Sequence, residues 1–150
     1  MKPILIMLTM VFCSGVVRAQ LAEDSIKAAV NRLFQGMKNA DASLVSRSFT
    51  DSAVLQTITT NKEGKTVVRN EQVSDFSEFV SKQQKGAADE RITFETIKID
   101  GPLAIAWTPY KFYYQGKFSH CGVNSFQLVR IDNQWKIQYL IDTRRRHGCE

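Results

Sequence analysis

The chain has 150 residues, 43% of them hydrophobic, with 20 basic and 15 acidic side chains, a formal net charge of +5 and three cysteines. So small an excess of charge is not the footprint of a nucleic-acid binder. The apolar content is that of a chain with one buried core, not of a disordered one.

The first residues read MKPILIMLTMVFCSGVVRAQ, with a positive charge at Lys2, an apolar run from Ile4 to Cys13, and small residues at Val17 and Ala19. This is the order of a secretory signal, and cleavage is expected after Ala19. Residues 1–19 are then a signal peptide and residues 20–150 a single domain, exported to the periplasm or secreted. The apolar run is well short of the roughly 20 residues that cross a bilayer, so no membrane span is expected in the mature form. Cleavage removes Lys2 and Arg18, which lowers the charge to +3 (18 basic, 15 acidic), and it removes Cys13. The remaining pair, Cys121 and Cys149, is expected to form a disulfide in an oxidising compartment.

From Asp24 to Asn39, Ile26, Ala29, Val30, Leu33, Phe34 and Met37 recur three and four apart and predict an amphipathic helix, with Glu23 and Asp24 suited to its N-terminus. Asp41 caps a second, short helix carrying Leu44, Val45 and Phe49. Residues 53–60 and 66–69 read as a hairpin around Asn61-Lys62-Glu63-Gly64. A third helix is expected over 75–84, with Asp75 and Glu78 as a capping box, a buried stripe of Phe76, Phe79 and Val80, and Gly86 beyond its end. Four strands follow, at 92–99, 103–114, 118–131 and 135–142. Gly101-Pro102, Gln115-Gly116-Lys117 and Asp132-Asn133-Gln134 turn the chain between them. Helices that come first and between strands, ahead of a long antiparallel meander, give an α+β class.

This order resembles the nuclear transport factor 2-like superfamily. Phe34-Gln35-Gly36-Met37, then Asp41, then Phe49-Thr50-Asp51-Ser52-Ala53 is similar to the opening of its small bacterial members, as is Leu128-Val129-Arg130 followed by Trp135-Lys136-Ile137. His120-Cys121-Gly122 and the closing Asp142 to Arg145 resemble an exported subgroup labelled lumazine-binding-like or SnoaL-like. The resemblance implies a cone-shaped curved antiparallel sheet wrapped by N-terminal helices. It does not imply one activity, because the superfamily holds isomerases, dehydratases, transport factors and binding domains.

A cone of this kind offers an apolar interior with a few inward polar groups. If Phe126 and Leu128 face inward, strand parity places Asn124, His120 and Phe118 there as well. His120 is then either a proton-transfer or hydrogen-bonding group, since histidine titrates near neutrality, or a core histidine satisfied by a neighbouring carbonyl or tyrosine. Trp107, Tyr110, Tyr113 and Tyr139 are candidate ligand contacts, being flat and apolar with polar tips; in strands such residues also simply fill cores. Asp142 is the second catalytic candidate. The resemblance to ketosteroid-isomerase-type members implies a carboxylate that moves a proton beside a tyrosine, here Tyr110 or Tyr113. Parity, however, sets Asp142 opposite Trp135, Ile137 and Tyr139 and on the face of Arg144, which suits an ion pair with Arg144 or Arg145.

His120, Cys121, His147 and Cys149 count out as a zinc set, but adjacent strand residues face opposite ways, so no metal is expected. No Gly-rich phosphate loop or serine nucleophile motif is present, and no cofactor is expected. Three functions remain: a non-catalytic domain for a small hydrophobic or aromatic ligand, forming a homodimer through its outer sheet faces; an isomerase or dehydratase using His120 and Asp142; or a structural or interaction module with a filled cone.

Overall fold

The computed structural model describes the backbone of residues 13–149 and side chains from residue 20 to residue 149. Most of the expected signal peptide, residues 1–12, lies outside the described residues. The first helix, α1, runs Cys13–Asn39, starting well before Asp24 because residues 16–22 hold no proline or glycine to stop it. Glu23 and Asp24 therefore sit inside the helix, 3.9 and 3.8 Å from Lys27, and not at its N-terminus. The predicted stripe is buried throughout, with Ile26 and Val30 fully enclosed. Helix α2 is Ala42–Ser48, and Asp41 caps it by accepting from the Leu44 amide at 2.8 Å. Gly36 allows the close approach of the two helices, since a Cβ there would stand 2.9 Å from a Val45 methyl. Phe49 does not belong to α2; it opens β1.

Strands β1 (Phe49–Thr60) and β2 (Thr66–Glu71) form the expected hairpin, and α3 (Val73–Ser81) follows. Helix α3 starts at Val73, so Asp75 is already inside it and the capping box with Glu78 does not form. Gln72 is the N-cap and makes no side-chain cap bond. Phe79 is exposed instead of completing the stripe, and Ser77 is buried, bonded to Ser46 at 2.8 Å and to the Val73 carbonyl at 2.7 Å.

The predicted strand 92–99 is two strands, β3 (Ala88–Ile92) and β4 (Thr96–Asp100), both antiparallel to β5 (Leu103–Tyr114). Ile92 pairs with Tyr110 and Thr96 with Trp107, so the β3–β4 side carries one residue too many and kinks there. Strands β6 (Lys117–Ile131) and β7 (Gln134–Thr143) complete the meander. The sheet order is β2-β1-β7-β6-β5-β3, with β4 also on β5. The α+β class and the curved antiparallel meander are as expected, and the parallel pairing of β1 with β7 makes the whole a curved, unclosed mixed sheet. These two strands are separated by nearly the whole domain, so no hairpin forces them antiparallel.

Two bulges re-aim side chains. Phe112 pairs with His120 but Tyr113 with Phe118, leaving Ser119 as the extra residue in β6. Leu128 pairs with Ile137 but Gln127 with Tyr139, leaving Gln138 extra in β7. The α1 stripe covers one end of the inner face, where Ala104, Ala106, Phe126, Leu128, Trp135 and Ile137 are all buried. Phe34 meets Phe126 there edge-on, with ring centroids 6.2 Å apart.

Candidate functional site

At the other end of the same inner face the packing opens into a cavity of about 290 Å³, near the lower limit for small-molecule sites. Its walls are apolar: Leu33, Phe34 and Met37 from α1, Phe76, Phe79 and Val80 from α3, and Leu55, Phe112 and Leu140 from the sheet. Its floor is polar, made by Tyr110, Asn124, Asp142, Glu90, His120, Glu71 and Arg144.

Tyr110 is the centre of this floor. Its hydroxyl lies 3.0 Å from Asp142 Oδ2 and 2.9 Å from the Thr143 carbonyl, so one proton is shared between two acceptors. Burial, then the Asp142 and Glu90 carboxylates, push the phenol above its ordinary pKa and keep it a donor. Gly122 makes room for this ring: a Cβ there would overlap the Thr143 carbonyl and stand 2.7 Å from the Tyr110 ring. Arg144 Nε donates to the same Asp142 oxygen at 2.9 Å. The ion pair expected for Asp142 is thus made with Arg144.

Glu90 accepts a hydrogen bond from Asn124 Nδ2 at 2.8 Å. Burial raises its carboxyl pKa; the Asn124 bond opposes this and the Asp142 carboxylate adds to it, for a value of about 7. Burial also raises Glu71, partly offset by Arg144. His120 packs on Phe112, with centroids 5.0 Å apart, and meets Tyr110 edge-on at 5.7 Å. Its Nδ1 bonds Ser119 Oγ at 3.0 Å, so its polar partner is a serine. Burial and then the Arg144 charge lower its pKa, which favours the neutral ring.

Of the nine residues singled out from sequence, the structure brings Tyr110, His120, Asn124 and Asp142 together in the cavity and joins Cys121 to Cys149; the remaining three ligand candidates lie elsewhere. Trp107 is on the outer face and 46% exposed. Tyr113 is also outside, beneath the Arg91 guanidinium 4.1 Å from its ring centroid. Tyr139 points outward and donates to Gln56 at 2.6 Å. The Ser119 bulge turns Phe118 outward, and the Gln138 bulge brings Leu140 and Asp142 onto the face of Trp135 and Ile137, reversing the parity expected of β7. Glu90, Glu71 and Arg144 were not foreseen as cavity residues. Glu90 had a sequence signal, since Ala88, Glu90 and Ile92 alternate as an apolar face interrupted by one acid.

The Cys121–Cys149 disulfide spans a Cα separation of 5.7 Å. It ties down a tail already paired to β6, for the Cys121 amide donates to the Arg145 carbonyl and the Arg145 amide to the Cys121 carbonyl, each at 2.9 Å. Arg144 is held at the cavity by this arrangement. Among the described residues no group of three or more His, Cys, Asp or Glu side chains is placed to hold a metal ion.

A family model described as "Putative lumazine-binding" matches residues 22–139. No curated protein matches the chain. Among solved structures, a nuclear transport factor 2-like protein of unknown function from Shewanella baltica superposes with a TM-score of 0.64 at 13% identity, over 84% of this chain and 95% of that one. A putative dehydratase of the same superfamily from Streptomyces avermitilis gives 0.64 at 11% identity, over 85% and 98%. A cystatin-like domain of unknown function from Nostoc punctiforme gives 0.63 at 15%, over 82% and 76%. At these identities the likeness is one of fold.

Proposed function

This chain belongs to the lumazine-binding-like family of nuclear transport factor 2-like domains, and we propose that it binds one small, mostly apolar ligand inside the curve of its sheet. The observation that carries this reading is the open cavity of about 290 Å³ with apolar walls and a polar floor. A filled interior would have left no such space, which argues against a purely structural module. Apolar contact with α1 and α3 supplies affinity, and Tyr110, Asn124 and Glu90 orient the ligand's polar end. The test is fluorescence titration with phenylnaphthylamine, an uncharged apolar dye. The wild-type chain is expected to enhance its emission, and Met37→Trp or Ala88→Leu, which fill the cavity, to abolish the gain while keeping the native circular dichroism. Undiminished dye binding by both folded variants overturns the reading.

A second reading, proton transfer on the bound ligand, is favoured by the Glu90 carboxyl at about 7, since a general base works best with a pKa near ambient pH. It moves the catalytic part from Asp142, engaged by Tyr110 and Arg144, to Glu90. Exchange of the α-protons of indanone in deuterated water tests it: the base removes a proton from carbon and a deuteron returns to the enolate. Equal exchange by wild type and Glu90→Gln rules it out.

Export of the chain with loss of residues 1–19 is part of the same proposal, supported by the disulfide, which suits an oxidising compartment. So is a homodimer through the outer sheet face, where Leu103, Ile105 and Trp107 are 46%, 42% and 46% exposed. Mass spectrometry and sedimentation of the protein purified from its own host check these two points.

A further inference from the structure

The charges on the cavity floor are unbalanced. Glu71 from β2, Glu90 from β3 and Asp142 from β7 face it, and Arg144 is its basic side chain. Arg144 is already paired to Asp142 at 2.9 Å. Among the described residues neither Glu71 nor Glu90 forms an ion pair; Glu90 has only the neutral amide of Asn124, which bonds Oε1, and its Oε2 has no partner. Of the other groups facing Glu90, Arg144 offsets its carboxylate only in part, being paired to Asp142; Tyr110 from β5 has its proton engaged, and burial lowers the pKa of His120 from β6. Among the described residues, the elements packed above, α1 and α3, present only Leu33, Phe34, Met37, Phe76, Phe79 and Val80 to the cavity. Lys38 and Arg91, the nearby cations, are engaged by Asp89 at 2.9 Å each.

Resting on the reading of this cavity as a ligand site, we propose that the ligand is an apolar amine: a ring body held by the two helices, with a protonated nitrogen set against Glu90. Walls this apolar keep the local dielectric low, so a charge of the right sign is rewarded there and a carboxylate or phosphate is repelled by two unpaired acids. The sign of the pH dependence follows. Without ligand, the Glu90 carboxyl titrates at about 7. A cation binds its ionised form, so binding releases a proton and affinity rises from pH 6 to pH 8.

Calorimetric titration of the intact, disulfide-bonded chain with naphthylmethylamine, naphthalenemethanol and naphthoate, substituted at the same ring position, tests this. The amine is expected to bind at least ~10-fold more tightly than the alcohol at about pH 8, with that ratio shrinking at about pH 6, and the carboxylate to bind more weakly than either. Glu90→Gln, which keeps an acceptor for Asn124, is expected to bring the amine-to-alcohol ratio close to one. Equal binding of amine and alcohol by the wild type overturns the amine proposal and leaves the apolar-ligand reading standing. Failure of all three probes to bind overturns both.

Discussion

The two ends of one inner sheet face, built from the same three strands, differ in what covers them. At the end of Ala104, Ala106, Phe126, Leu128 and Ile137, the inward side chains are apolar and buried in one cluster with the α1 stripe. At the other end Tyr110, Asn124, His120 and Asp142 set polar or titratable groups among the apolar Phe112 and Leu140, and a cavity replaces packing. The same strands thus provide a stabilising half and a functional half. The second is expected to be tuned for a ligand at some cost in stability, as buried ionisable groups require.

Four measurements sharpen or break this division. Phe126→Ala at the closed end should destabilise the fold by about 3–5 kcal/mol in denaturant unfolding, because the fully enclosed ring leaves a hole that its neighbours cannot fill. Cys149→Ala should cost about 3–4 kcal/mol in the same assay through the loop it no longer closes, and it should tighten binding of an amine as the like charge of Arg144 is released from the cavity. A loss confined to stability would show that the clasp serves the fold alone.

Glu90 gives a pH-dependent effect of the opposite sense. Its folded pKa of about 7 lies above the carboxylate's ordinary value. Its stabilising contribution is therefore complete below about pH 4.5 and is lost as pH rises through 7. Glu90→Gln removes that loss, so the variant should gain on wild type by on the order of 2–3 kcal/mol between pH 5 and pH 8. A pH-independent difference between the two proteins would place Glu90 outside any buried site. The smallest effect belongs to Tyr110→Phe, about 1–2 kcal/mol, since the aromatic body remains and only a shared hydrogen bond is removed.

The parts of the molecule legible in the sequence are those governed by local periodicity. The α1 stripe follows from spacing, and the bounds of β5 from the Gly101-Pro102 and Gln115-Gly116-Lys117 turns. His120 and Asn124 are legible because no irregularity separates them from Phe126 and Leu128, and Tyr110 through its aromatic ring and polar tip. Asp142 was assigned to the wrong face, and Phe118 likewise, because one inserted residue at Gln138 or Ser119 reverses all that follows, and nothing in either residue's chemistry announces a bulge. Glu90 was missed because β3 starts at Ala88, four residues before the predicted strand, so its apolar alternation went unread. The outward placement of Trp107, Tyr113 and Tyr139 has another cause: aromatic character marks a residue that needs covering, not the side from which the cover comes.

The parallel pairing of β1 with β7 also carries a kinetic consequence. Leu55 and Ile58 meet Leu140 and Thr143, some 85 positions further along the chain, so the strand completed first after the two helices waits for the strand completed last. Loop closure over that distance is slow compared with the hairpins between β5, β6 and β7. The meander is therefore expected to assemble first and β1 to dock on it late. Asp142 lies opposite Thr57 in this very pairing, so the cavity floor reaches its final form only at that last step, and a refolding experiment should show ligand binding lagging behind the burial of Trp135.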